Sequence, residues 1–302
     1  MKKRKISKTN KRASKQNNFI HDNFISGLIY LKQSWKFFVI AIFLILFASL
    51  IGYFGIIGII SPALGKTIDT YVTNSVQDLI KETAGLGPVQ LTFYIMSNNI
   101  KTAFIGMLSG IFFTITSVVI VIFNGFVLGF VAQRAVTSPV NSEGIFVLWR
   151  LFPHGIFEIP AILISIGLGI KLGLYPIYLK DKAKGFLSIL VSLVVFIFLS
   201  TFIMVLLVLI FQPQMLINAK SLAGEETFTN LFNNPIFSII AFILMAAIYA
   251  ISLIVGLKIL SNKDREIVKE ILANSFRVFV FIIIPLLIIA GIIEGLLIYL
   301  VG

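Results

Sequence analysis

Six charge-free stretches of this 302-residue chain read as membrane spans: 37–65, 102–133, 159–170, 185–219, 227–257 and 278–293. About 20 apolar residues cross the hydrocarbon of a bilayer as a helix, and four of these stretches exceed that length outright. The third gains length from Phe157 or the stem of Lys171, and the last continues past Glu294 to Leu300. Charged residues make up only 13% of the chain, where a soluble domain carries about a quarter. No single soluble core hides that much apolar surface. A soluble enzyme and a disordered regulator are thereby excluded. The expected fold class is all-α: a polytopic integral membrane helical bundle of six to seven transmembrane helices, one of them broken or re-entrant near Asn124.

Charge sets the expected orientation. Up to Lys36 there are 10 Lys/Arg and one acid, Asp22, so +9 of the net +12 lies in this segment. The connections 171–184 and 258–277 are also Lys/Arg-rich, whereas 61–101, 212–235 and the C-terminal stretch are poor in them. The rich segments read as cytoplasmic and the others as outside, which puts the N-terminus in and the C-terminus out at the cell membrane. The basic tail has no interleaved aromatics from Met1 to Gln16, so it is matched to anionic inner-leaflet lipid rather than nucleic acid. The stretch from Phe37 to Gly65 is too long for a cleaved signal and reads as an uncleaved anchor.

Because 1–36 and 171–184 share a side, the region 102–150 must cross twice or not at all. Its charge-free run is too long for one straight crossing and too short for two full ones. A helix near 102–122 and a shorter one returning from about Asn124 solve this, which commits the chain to seven crossings. The expected organisation is a basic disordered cytoplasmic tail at 1–18, an interfacial amphipathic helix at 19–36 and a membrane domain at 37–302, with an extracytoplasmic segment at 61–99. In the interfacial helix Phe24, Ile25, Leu28, Ile29 and Leu31 form the apolar face, and Trp35 sits at headgroup level. In the outer segment Ile68, Tyr71, Val72, Val76, Leu79 and Ile80 fall at helical spacing, as a packing stripe or a docking face for an outside partner.

Chemistry concentrates in Arg150-Leu-Phe-Pro-His-Gly-Ile-Phe-Glu-Ile-Pro-Ala161. Pro153 starts a helix well, which places His154 and Glu158 in its first turns on one face. A carboxylate within the hydrocarbon is expensive, so Glu158 and Glu294 are candidate functional residues, with Arg134 and Arg150 as counter-ions. Four readings compete: a polar joint that selects a partner helix, a proton-coupled carrier, a metal hydrolase, and mutual satisfaction between helices. A catalytic zinc site wants three protein ligands and no further His lies in a span, so no metal is expected. No cofactor is expected either: there is no Cys and no phosphate-binding glycine loop. Gly106/Gly110, Gly125/Gly129 and Gly169/Gly173 have helix-packing spacing. Asn98-Asn99 would cap the second span, and Asn124-Gly125 would mark the break. Gly155 and Pro160 complete the candidate break and packing positions.

The order Asn98-Asn99-Ile100, Asn124-Gly125-Phe-Val-Leu-Gly129 and His154-Gly155-Ile-Phe-Glu158-Ile-Pro160-Ala161, with Ala290-Gly291-Ile-Ile-Glu294-Gly295 near the C-terminus, resembles the stage II sporulation protein M (SpoIIM) family over about 90–300. The resemblance implies a polytopic membrane protein without established catalytic activity, and it supplies no catalytic residues. In spore-formers the family member helps assemble and position peptidoglycan-degrading partners, stage II sporulation proteins D and P, during engulfment. Members also occur in bacteria and archaea that make no spores. This chain is longer than the sporulation member, with an extra hydrophobic pair at about 185–257. The expected role is a non-catalytic membrane scaffold with an envelope or membrane protein partner, compatible with a homo-oligomer. The alternative is a carrier or permease subunit for a small solute or lipid.

Overall fold

The computed structural model describes residues 19–68, 70, 71, 74, 85–112, 114–137, 141–211 and 235–301. The basic tail, most of the stripe from Val72 to Ile80 and the 212–234 connection lie outside the described residues. Two compact units emerge, one of Met1–Leu174 with Glu270–Gly302 and one of Tyr175–Lys269. Among the described residues no strand occurs, and six helical segments are long and apolar enough to cross a membrane. This is an all-α, multi-pass membrane bundle.

The first unit opens with α1 (19–33), then α2 (Trp35–Tyr53) and the short α3 (Ile56–Ile60). Next come α4 (Pro88–Leu108), α5 (Ile115–Thr137) and α6 (Asn141–Gly173). Helix α4 begins where its sequence permits: Pro88 occupies the first position, and the Gln90 Oε1 accepts the Gly87 N–H at 3.1 Å. In α2 the large residues Phe43, Leu46, Phe47 and Leu50 point outward, while Ala41, Ala48 and Gly52 are buried. Large apolar side chains outside and small ones inside is the pattern of a helix solvated by lipid, because lipid leaves no hydrophobic drive between helices and close packing must hold them.

Each glycine pair is a contact surface. A Cβ on Gly110 would run into the backbone of Gly169, one on Gly169 into the Gly106 carbonyl, and one on Gly173 into the Gly110 carbonyl. Pairing in that order makes α4 parallel to α6. Gly125 meets Ile45 and Ala48, and Gly129 meets Ser49 and Tyr53, so α5 runs parallel to α2. Thr114 and Ser117 lie by the end of α6, near Gly173 and Gly169, whereas Asn124 lies by Glu158, so α5 runs antiparallel to α6.

The chain therefore reverses between α4 and α5, at a 3-10 turn over Ser109–Ile111 and Thr114, and not near Asn124. Asn124 sits inside a continuous α5, where its amide donates to the Ile120 carbonyl at 2.8 Å and so needs no break. The reversal is fixed by Thr114, whose φ of 63° is uncommon for a β-branched residue. Its N–H donates to the Gly110 carbonyl at 2.8 Å and its hydroxyl to the Ile170 carbonyl at 3.4 Å. Ser117 Oγ donates to the Gly106 carbonyl at 2.7 Å, and Ser165 Oγ to the Ala103 carbonyl. Two full-length helices fit because the first starts at Pro88, well before the charge-free stretch. Asn98 and Asn99 are consequently mid-helix and cap nothing. Pro153 does not start a helix either, since α6 begins at Asn141 and runs through both Pro153 and Pro160. Packed helices compensate the donors that such prolines remove from a membrane helix.

On α1 the apolar residues Phe24, Ile25, Leu28 and Ile29 are exposed, and Gly27, Tyr30 and Ser34 form the packed edge. Tyr30 Oη donates to the Ile271 carbonyl at 3.3 Å. The unit closes with the last part of α9 (Asn262–Val278), a π-helical segment Phe279–Ile283 and α10 (Ile284–Val301). The π segment ends two residues before Pro285, whose nitrogen has no hydrogen to donate to the carbonyl four residues back.

The second unit holds a 3-10 turn Tyr175–Tyr178, α7 (Lys182–Phe211), α8 (Pro235–Leu257) and the start of α9. Helices α7 and α8 pack antiparallel: Gly256 abuts Ser188 and Ser192, and Phe237 with Ala241 packs on Leu207. Asp181 accepts the Lys184 N–H at 3.0 Å, and that bond holds its carboxyl below the ordinary range.

Candidate functional site

A cavity of about 340 Å³ opens among five helices of the first unit. Asn98 and Asn99 enter it from α4, Asn124 from α5, Glu158 and Gly155 from α6, and Glu294 from α10. Ile45, Ile95, Leu128, Ile159 and Ile162 complete an otherwise apolar wall, with Tyr94 beside them. Apolar walls with a few convergent polar groups are the usual make-up of a binding cavity.

The local sequence explains the convergence. On α10, Gly291 packs against Met96 and Gly295 against Thr92. These two glycines bring α4 close and set the intervening Glu294 beside Asn98 and Asn99. On the opposite side, Gly125 and Gly129 bring α5 against α2 and leave Asn124 facing the cavity. Glu294 Oε2 is buried with no hydrogen-bond partner. Two carboxylates in a membrane-level cavity call for a compensating positive charge. Among the described residues lining it, none is Lys or Arg.

The expected counter-ion Arg134 does not line the cavity; it lies over the Phe130 ring, 5.0 Å from its centroid. His154, Arg150 and Pro153 belong to α6, but their side chains are outside the described set. Gly129 and Pro160 do not line the cavity, and Gly129 acts through packing. Among the described residues no three His, Asp or Glu side chains converge as a metal site would require.

Sequence reasoning missed a second polar cluster, at the C-terminal end of α6. Lys171, 8% exposed, donates to Ser34 Oγ at 2.7 Å, and its ammonium lies 3.7 Å from the Tyr30 ring centroid. The length argument treated Lys171 as a snorkelling stem. The signal available was the small-and-aromatic edge of Gly27 and Tyr30 on α1 with Ser34 just after it, which offers a cation both an oxygen and a ring face.

Comparison with known proteins follows the same residues. An uncharacterized protein of Methanocaldococcus jannaschii is 35% identical over 91 residues, which cover 30% of this chain and 50% of that protein. The chain thus spans about half the length of that relative. No solved structure gives a significant match. The family model for stage II sporulation protein M matches residues 25–206, from α1 into α7. It takes in the Asn98-Asn99, Asn124–Gly129 and His154–Ala161 strings and stops short of Ala290–Gly295. With that much of its length matched, the chain belongs to the stage II sporulation protein M family.

Proposed function

We propose that this protein is a non-catalytic membrane scaffold whose acidic cavity is a joint for a cationic group on a partner membrane protein. The observation that carries the reading is the pairing of Glu158 and Glu294 in one cavity whose described lining residues include no Lys or Arg. A partner's Lys or Arg reaching into it would satisfy the unpartnered Glu294 oxygen and the demand for charge compensation together. Family membership supports a membrane protein of this build. In the same reading the protein is a cell-membrane protein with the basic N-terminal segment cytoplasmic and α10 ending outside. The exposed apolar face of α1 rests on the inner surface, and the tail before it adheres to anionic lipid.

Purification of the full chain from its native membranes in mild detergent tests the joint. A stoichiometric membrane protein partner is expected, reduced about thirtyfold or more in an E158Q/E294Q variant that retains its elution profile. Equal recovery of the partner from both proteins would overturn the proposal. A carrier for a small cationic solute is the second reading, favoured by the cavity's volume and its two carboxylates. It requires flux in reconstituted vesicles that E158Q abolishes, with no partner bound.

A further inference from the structure

We propose that a lysine-lined hollow in the second unit holds the phosphate of an anionic lipid headgroup. The hollow, about 690 Å³, is lined by Lys180, Lys182, Lys184 and Lys263 with Asp181, Ser261 and Asp264. Its lysines come from two segments some 80 residues apart, joined by one hydrogen bond to Asp264, whose carboxylate is itself held by Ser261. The Lys180 N–H donates to Asp264 Oδ1 at 3.2 Å, and Ser261 Oγ donates to Asp264 Oδ2 at 2.9 Å. Asp264 is 5% exposed, so both of its oxygens are committed to this frame. Asp181 is committed as well, to the Lys184 N–H at 3.0 Å and the Lys184 ammonium at 3.3 Å. No hydrogen bond or ion pair among the described residues engages the ammonium groups of Lys180, Lys182 or Lys263. Four lysines against two aspartates leave the hollow with a net charge of +2, and an anion there relieves the repulsion among the lysines.

The place of the hollow selects the source of that anion. Gly256 near the end of α8 packs on Ser188 and Ser192 near the start of α7. The apolar span Lys182–Ile210 therefore begins level with the end of the span Ile239–Leu257. A hollow at that level sits at the edge of the hydrocarbon, where headgroup phosphates lie. Exposed Ile177 and Tyr178 stand just before Lys180, offering apolar surface to the acyl region and a ring to the interface. A dissolved phosphate would use the lysines but not this apolar surface. Basic hollows of this kind on the cytoplasmic side of membrane helices take anionic headgroups.

Native mass spectrometry of the full chain in detergent tests the site. Phosphatidylglycerol is titrated beside phosphatidylcholine, with inorganic phosphate as a separate arm. A retained phosphatidylglycerol adduct is expected, falling about tenfold in K180Q/K182Q/K263Q. It should persist in K2Q/K3Q/K5Q, which removes the same charge from the tail. Neither phosphatidylcholine nor inorganic phosphate should give it. Undiminished phosphatidylglycerol binding by the first triple variant, or tighter binding of inorganic phosphate than of lipid, would overturn the proposal. If that triple variant fails to fold, K263Q alone should weaken the adduct severalfold and K180R/K182R/K263R should keep it. An unchanged adduct in K263Q would be contrary.

Discussion

Gly169→Leu is expected to prevent the first unit from assembling. At this position α4 and α6 meet backbone to backbone, with the Ser117 hydroxyl of α5 against them. A Cβ on Gly169 would collide with the Gly106 carbonyl and with Ser117 Oγ, and would lie 3.2 Å from the Met107 carbonyl. Over-packing an ordinary core costs about 1–3 kcal/mol because side chains yield to new rotamers. Here the obstruction is backbone, and relieving it parts the helices and breaks the Ser117–Gly106 hydrogen bond as well. A loss of about 3 kcal/mol or more, beyond a hundredfold in the folded fraction, follows. Fluorescence-detected gel filtration after heating in detergent should show aggregate for this variant. Gly106→Ala should pass the same assay, since its Cβ lands 3.6 Å from Ile166 Cγ1, an ordinary contact. A Gly169→Leu protein that melts within a few degrees of the wild type would contradict the close approach.

Glu158→Lys is expected to keep the fold and lose the partner. The new ammonium would stand in the cavity with Glu294, whose Oε2 has no hydrogen-bond partner, and supply from within the cation that the described lining residues lack. An internal pair of this kind compensates the buried carboxylate, so the melting temperature should hold or rise. The same pair competes with any incoming Lys or Arg. Partner recovery should therefore fall at least as far as in E158Q/E294Q, about thirtyfold or more. Unchanged recovery from a folded Glu158→Lys protein would mean that the two glutamates serve only the bundle itself.

Most of the architecture could be read from charge and hydropathy, because in a bilayer both are enforced residue by residue. Parity allows the region 102–150 two crossings or none, and α4 and α5 run in opposite directions. The position of the reversal was not legible. The Asn124 amide looked like a break until its bond to the Ile120 carbonyl was seen, and the actual turn rests on Thr114. The early start of α4 was hidden because its polar residues, Asn98, Asn99 and Lys101, dilute the apolar signal. Facing a cavity rather than lipid explains how the two asparagines are tolerated. Pro153 misled for a different reason. Proline starts helices in water, yet α6 carries both Pro153 and Pro160 internally.

The candidate site divides along the same line. Glu158 and Glu294 stood out as costly intramembrane acids, and the structure lines one cavity with both. The asparagines from α4 and α5 could not be assigned to that cavity from sequence, because only the glycine contacts between helices determine which faces meet. Arg134 drew attention as a nearby cation, but its place over Phe130 depends on the side-chain path.

Photocrosslinking from inside the cavity tests the central claim most directly. A photoreactive amino acid at Leu128, which lines the cavity and remains partly exposed, would be activated in native membranes. One discrete crosslinked membrane protein is expected, and it should disappear when E158Q/E294Q is introduced into the same chain. Crosslinks to lipid alone, or a protein adduct that persists without the two carboxylates, would contradict the acidic joint.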